Sequence, residues 1–294
     1  MNRIDWDDQH AFLAVLEEGS LSAAARRMGV AQPTMRARIE ALERRLGTVL
    51  FTRSVKGLVP TEQARLLSDA ARAMHRASEA FVRAASAPPG EVAGNVRLSV
   101  SDFVGIEVLP RMLTGLRAQA PLLIVEVEMS NGLANLLEQE VDVAVRMAPP
   151  RQNALVAQKV ASIPLGLFAH MDYLAARGVP ETVADLAGHD LIGPDRARAD
   201  LDVVAALLPE LHRNRFILRT DSHPAQLAAA RAGLGIAVAQ RPIGLSDPAL
   251  RPVLPGLPLP DLDTWIVMHE DLRETPRVRA LFDHLVREFQ AYCR

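Results

Sequence analysis

A chain of 294 residues and 32.0 kDa is longer than one compact domain usually runs, so two or more folding units are expected. With 49% hydrophobic and 23% charged residues the sequence is an ordinary globular one, which excludes wholesale disorder, a collagen-like repeat and a disulfide-rich scaffold. A single cysteine, Cys293, rules out an internal disulfide and a cysteine metal cage, and the formal charge of −2 by itself points to neither nucleic acid nor membrane.

The opening Asp5-Trp6-Asp7-Asp8 has neither the basic start nor the apolar core of a secretory signal, and no apolar run approaches the ~18 residues of a membrane span. A cytoplasmic protein without a membrane partner is expected. From Asp7 to Glu18, Ala11, Phe12, Val15 and Leu16 share one helix face, and Gly19 stops the helix. Ser20 or Ser22 can cap a short second helix that Gly29 ends. A third helix starts near Gln32-Pro33, where proline costs no hydrogen bond, and runs to Leu46-Gly47. Two helices joined by a tight glycine turn make a helix-turn-helix.

Charge divides along the chain. Residues 1 to 90 carry thirteen Arg/Lys against ten Asp/Glu, whereas the remainder carries twenty against twenty-five. Residues 26 to 56 alone hold eight cations and two anions, a pattern that fits either a solvated face or a phosphate-binding one. On the third helix Met35, Ile39, Leu42 and Leu46 share the buried face, which turns the N-terminal Gln32, Pro33, Thr34 and Arg36 outward as candidates for base readout in a DNA major groove. Ser22, Arg38, Arg53 and Lys56 complete the candidate DNA-contacting set; Arg38 is expected to reach a phosphate or an acidic neighbour, and Arg53 and Lys56 to lie in a wing-forming loop.

These residues resemble the LysR-type transcriptional regulators. The run Phe12-Leu13-Ala14-Val15, Gly19 to Ala25, Val30-Ala31-Gln32-Pro33, Ile39 to Glu43, Leu46-Gly47, Leu50-Phe51-Thr52-Arg53 and Thr61-Glu62 follows that family's DNA-binding signature in order and spacing. Ala31, Arg36, Ala37 and Ala64 depart from it, where the family usually has serine, serine, arginine and glycine. Losing a hydroxyl at 31 removes a cap, and moving an arginine from 37 to 36 changes which bases are read.

After the wing, Thr61 can cap a long helix in which Leu67, Ala70, Met74, Ala77, Phe81 and Ala84 recur at alternating intervals of three and four, a heptad seam for a two-helix dimer. The resemblance implies the same linker-helix homodimer, often assembled as a tetramer. Ser86 to Asn95, with two prolines and two glycines, marks a boundary. Beyond it, candidate strands at Val96–Val100, Ile124–Glu128, Val141–Val145, Leu165–Ala169, Arg215–Leu218, Ile236–Ala239 and Trp265–His269 alternate with helices, which predicts α/β layers and a largely parallel sheet. Pro252, Pro255, Pro258 and Pro260 predict a stiff extended connection, and Arg277 to Tyr292 a closing amphipathic helix.

The resemblance implies an α/β effector-binding region built like a type 2 periplasmic binding protein, joined to an all-α N-terminal domain that is a winged helix-turn-helix followed by a long linker helix. The expected boundaries are 1–60 for the reading head, 61–91 for the linker, and 92–294 for the effector region. Lobe I takes 92–161 and 267–294, and lobe II takes 162–266. Three strand-to-helix turns offer amides to a ligand: Ser101 and Phe103, Ser130 and Asn131, and Thr220, Ser222 and His223. They are candidates for an effector pocket, or they cap helices. A carboxylate suits the amides; an uncharged aromatic would suit Phe103.

Rival chemistries lack their residues. His284 and Glu288 share a helix face without a further metal ligand, Gly233-Leu234-Gly235 lacks the rest of a dinucleotide fingerprint, and there is neither a nucleophile elbow nor a phosphate loop. No catalysis, cofactor or metal is expected. The expected function is a regulator that binds double-stranded promoter DNA, senses a small molecule between two lobes, and alters DNA bending and contact with RNA polymerase. The alternative is a solute-binding module, or an enzyme of that shape, whose N-terminal helices only oligomerise it.

Overall fold

The computed structural model describes residues 4–54, 57–86, 88, 90–131, 141–149, 155–207 and 213–293. The described residues up to Ala85 form one compact unit and those from Ser86 onward another.

In the first unit, α1 (Trp6–Glu18) places Asp7 and Asp8 at its positive end and stops at Gly19, whose φ of 65° is a left-handed cap. Helix α2 (Leu21–Arg27) is capped by Ser20, whose hydroxyl accepts from the Ala23 amide at 3.2 Å; Ser22 stays exposed. Helix α3 (Gln32–Leu46) begins after Ala31, which supplies no side-chain cap, and relies on Pro33 in its first turn and Gly47 at its end. Phe12, Val15, Ala24, Met35, Ile39 and Leu42 meet in one core, closed by Leu50 and Phe51. The expected wing loop is a hairpin of β1 (Phe51–Ser54) and β2 (Gly57–Pro60), paired antiparallel from Phe51 with Pro60 to Ser54 with Gly57. Lys56 lies outside the described residues. Helix α4 (Glu62–Ala84) is capped by Thr61, whose hydroxyl accepts from the Ala64 amide and donates to the Val49 carbonyl.

The second unit holds a five-stranded sheet in the order β4-β3-β5-β12-β6, built from β3 (Gly94–Val100), β4 (Leu123–Met129), β5 (Val143–Arg146), β6 (Leu155–Ile163) and β12 (Leu262–His269). Strand β3 is parallel to β4 and β5, but β12 is antiparallel to β5 and β6. A second sheet, β10-β7-β11, is antiparallel throughout: β7 (Leu165–His170) lies between β10 (Ala237–Gln240) and β11 (Leu250–Val253). Beside it β8 (Leu191–Gly193) and β9 (Phe216–Arg219) pair in parallel. The sheets are therefore mixed, not largely parallel, because the chain passes from the first sheet to the second directly from β6 into β7 and returns through β12, running against its neighbours. Pro252 is not in an extended connection but in β11, an edge strand where its missing N–H leaves no ladder bond unmade. Beyond β11 the chain turns at Leu254, with φ of 46°, and Leu257 N–H donates to the Leu254 carbonyl.

A helical stretch from Asp102 passes through a π-helical turn, Val104–Val108, into α5 (Leu109–Gln119). Leu98, Val100, Val143, Ile266 and Met268 of the first sheet share one core with Met112 and Leu116 of α5, and with Val278, Leu281 and Phe289 of α10 (Pro276–Tyr292). The same core continues into Phe168 of β7, Leu227 of α8 (His223–Arg231) and Ile243 of α9 (Arg241–Ser246). The remaining helices, α6 (Met171–Arg177) and α7 (Arg198–Leu207), flank the second sheet system. No described helix is long and apolar enough to cross a membrane.

Candidate functional site

The third helix presents two faces. Met35, Ile39 and Leu42 are buried, while Pro33, Thr34, Ala37 and Glu40 are exposed broadly away from them, with Arg36 exposed on the flank and Gln32 at the N-terminal end. Burying the methionine, isoleucine and leucine fixes the helix rotation, so the polar residues at its positive end are displayed as a group.

Arginines on this unit separate into two classes. Arg38 donates to Asp7 at 2.8 Å, Arg45 to Asp8 at 2.8 Å, and Arg27 to Glu17 at 2.6 Å, all on α1. Arg38 has thus found an acidic neighbour, and these pairs pin α2 and α3 to α1. Arg36 and Arg53 are exposed, and neither has a carboxylate within ion-pair reach among the described residues. Sequence reasoning missed Glu43, which accepts from the Leu50 and Phe51 amides at 2.7 and 3.3 Å and so fixes the wing to the end of α3.

Along α4, Ala70, Met74, Ala77 and Phe81 are exposed, Phe81 to 76%, whereas Ala64 and Ala71 are buried on their own unit and Leu67 is half-buried there. The face nominated as a seam is therefore largely uncovered.

In the second unit, the nominated turns come together in part. Asn131 Oδ1 accepts from the Asp102 amide at 3.2 Å, joining the turns after β3 and β4. Asp102 Oδ1 accepts from the Phe103 amide and Ser101 Oγ from the Val104 amide, so this helix start is capped by its own side chains. Ser130 is half-buried beside them. Phe103 does not join this polar group: its ring is 6% exposed and belongs to the apolar core. After β9, Thr220 Oγ1 accepts from the Ser222 amide at 3.2 Å, and His223 Nε2 lies 3.0 Å from Asp200 Oδ2. The Asp200 hydrogen bond raises the His223 pKa against the opposing effect of burial, and Asp102 and Asp221 add to it. The charge of Asp102, on the helical stretch that follows β3, is thus felt at His223. The His223–Asp200 pair contributes stability that is complete below the unfolded histidine pKa and is lost as pH rises through the higher folded value. Asp221 accepts from three successive amides, Asp195, Arg196 and Ala197, at 2.8 to 2.9 Å, and these bonds lower its pKa. A shallow groove of about 540 Å³, lined by Met171, Leu174, Ala175, Val179, Arg251 and Pro252, includes none of the nominated residues.

Comparison with known proteins bears on both units. Residues 6–65 match the family described as bacterial regulatory helix-turn-helix protein, lysR family, and residues 89–290 match the LysR substrate binding domain. An HTH-type transcriptional regulator of Xanthomonas campestris pv. campestris (strain 8004) is 27% identical over 307 aligned residues, covering 96% of this chain and 85% of that protein. The HTH-type transcriptional regulator PgrR of Escherichia coli (strain K12) is 27% identical over 194 residues, 65% of this chain; the match spans 64% of PgrR, just under two thirds of its length. Full-length CbnR, solved in complex with its target DNA, superimposes with a TM-score of 0.70 at 21% identity over 97% of this chain and 100% of that one, which shows a common fold. The two matched regions take up most of the sequence, and the chain belongs to the LysR family of DNA-binding transcriptional regulators.

Proposed function

We propose that α3 reads promoter DNA through Gln32, Pro33, Thr34 and Arg36, while Ser22, Arg53 and Lys56 meet the phosphates and Arg38 orients the helix through Asp7. The observation that carries this reading is the exposed polar end of α3 opposite a fully buried apolar face. DNA affinity should fall steeply with added salt. Arg36→Ala should change the preferred site, costing about 1–3 kcal/mol on the best sequence and less on others, whereas Arg53→Ala weakens all duplexes alike. Fluorescence anisotropy with a randomised duplex library checks both; salt-insensitive binding, or an unaltered preference in Arg36→Ala, contradicts the assignment.

The reading extends to the whole chain: a cytoplasmic homodimer or homotetramer, paired through Leu67, Ala70, Met74, Ala77 and Phe81, with residues 1–60 as reading head, 61–91 as linker and 92–294 as sensor. Lobes of 92–161 with 267–294, and of 162–266, enclose the effector. Its binding shifts their angle, and through it DNA bending and contact with RNA polymerase.

Ser101, Ser130, Asn131, Thr220, Ser222 and His223 form the effector cleft, and a carboxylate on the ligand accepts from the Ser101 and Ser130 hydroxyls, opposite the His223 imidazolium. An effector bearing an amine is the second reading, favoured by Asp102, Asp200 and Asp221 around His223. Calorimetry at several pH values separates them. Carboxylate probes such as benzoate should bind more weakly as pH rises through the His223 pKa, and amine probes more strongly. Ser101→Ala with Ser130→Ala should lower carboxylate affinity by about tenfold, the loss of one or two hydrogen bonds. Unchanged affinity in that variant removes both serines from the site.

A further inference from the structure

The cleft residues and one ion-pair cluster lie along the same two helices, with the cleft residues at the start of each. Arg231 closes α8, the helix that His223 opens. Its guanidinium Nη1 and Nη2 donate to Glu107 Oε1 and Oε2, each at 2.8 Å, and its Nε donates to Asp247 at 2.8 Å. Glu107 lies in the π-helical turn Val104–Val108, less than two turns beyond Ser101 and Asp102. A π turn inserts one residue into the helix and rotates the residues beyond it, a device that recurs where a side chain must be aimed. Gly105, in this turn, leaves room for Met129 at the end of β4: a β-carbon there would lie 2.9 Å from its Cγ and Sδ.

The two carboxylates differ in kind. Asp247 follows α9 and belongs, like Arg231, to the second sheet system, whereas Glu107 belongs to the helix that follows β3 of the first. Glu107 is 14% exposed and Asp247 17%, so both pairs are shielded from the water that weakens surface ion pairs. The bidentate geometry gives the Glu107 pair one angular setting, since the planar fork of arginine fits both carboxylate oxygens in only one orientation.

We propose that the Arg231–Glu107 pair is a latch between the lobes that fixes their resting angle, and that movement of the cleft ends of the two helices works against it. The proposal rests on the reading of the cleft as the effector site. Ser101 and Asp102 on one helix and His223 on the other transmit a ligand-induced displacement rigidly, over less than three helical turns, to Glu107 and Arg231. The Arg231–Asp247 bond keeps the arginine aimed at Glu107 when the latch parts, so the charge is never left alone.

The test measures the lobe separation in the full chain without effector. Ala118 of α5 and Ala176 of α6 are exposed, and the only cysteine is Cys293, so Ala118→Cys with Ala176→Cys in a Cys293→Ser background gives two spin labels, one per lobe. Doubly labelled chains are mixed with excess unlabelled chain so that only distances within one chain are read. Glu107→Gln and Arg231→Met should each shift or broaden the distance distribution toward longer separations, and Asp247→Asn should keep the parental distribution. Glu107→Asp, which keeps the charge but shortens the arm, should give an intermediate distribution and serves if the glutamine variant does not fold. A parental distribution in Glu107→Gln or Glu107→Asp overturns the latch, as does an equal change in Asp247→Asn. Duplex binding and benzoate binding by the same labelled parent are scored separately. Their failure would refute the regulator or cleft reading while leaving the latch measurement interpretable.

Discussion

Phe81→Asp is expected to dissociate the chain into protomers and, at nanomolar protein, to reduce affinity for a two-half-site duplex by a hundredfold or more, two decades corresponding to about 2.7 kcal/mol. Phe81 is 76% exposed and Met74 39% exposed on the outward face of α4, which also carries Leu66 with most of its surface in water. Covering one phenylalanine is worth about 1.5–3 kcal/mol. In a two-fold pair each substitution is felt twice, so about 4 kcal/mol, near a thousandfold, is lost from dimerisation before the cost of desolvating aspartate. Because the side chain is exposed, the fold of the first unit should be unaffected. Sedimentation equilibrium and binding to single and paired half-sites check the result. A mutant that sediments like the parent would show that α4 is not the seam.

Gly57→Ala should unfold or undock the wing. Gly57 has φ of 120°, which an L-residue avoids, and an added β-carbon would lie 2.7 Å from the Gly19 carbonyl oxygen. That oxygen accepts from the Leu58 amide at 2.8 Å, and Gly19 is itself the left-handed cap of α1, so neither backbone can retreat without losing a bond or a cap. Strain and overpacking of this kind cost about 2–4 kcal/mol. In a domain of this size that is a fall of about 10 °C or more in the melting point of the first unit. Calorimetry of the full chain should show the transition of the first unit moving and that of the second unmoved. DNA affinity should fall with it, since Arg53 is carried by the wing. An unaltered melting profile would mean that the hairpin can shift as a body.

The sequence was most informative where local chemistry and burial agree. Helices α1 and α3 announce themselves through Gly19, Pro33 and Gly47, β3 through the alternation of Val96, Leu98 and Val100 with polar residues, and β5 through a short buried apolar run. It was least informative where a rule is broken for a tertiary reason. Pro252 hid β11, since proline reads as a break unless the strand is known to be an edge. Three-residue β8 is too short for any periodicity, and β6 carries the exposed Gln158 and Lys159 in mid-strand. The polar turns after β3 and β9 were legible as sites where side chains bond local amides, yet the burial of Phe103 was not, because a residue opening a helix can point to either side. Nothing local marks Glu107 and Arg231, 124 residues apart, as partners. Their meeting depends on how two sheets are joined.

The ion pairs that tie α2 and α3 to α1 also decide how this protein exchanges ions with its surroundings. Of the eight cations between residues 26 and 56, Arg27, Arg38 and Arg45 already hold carboxylates of their own chain. Such groups displace few condensed counterions when DNA arrives, so these three pairs take about three cations per protomer out of the exchange. For a dimer the logarithmic salt slope is then shallower by about 5 than if all three were free. Asp7, Asp8 and Glu17 thereby act as a built-in counterion atmosphere, lowering non-specific adhesion to DNA while leaving Arg36 and Arg53 available to a chosen site.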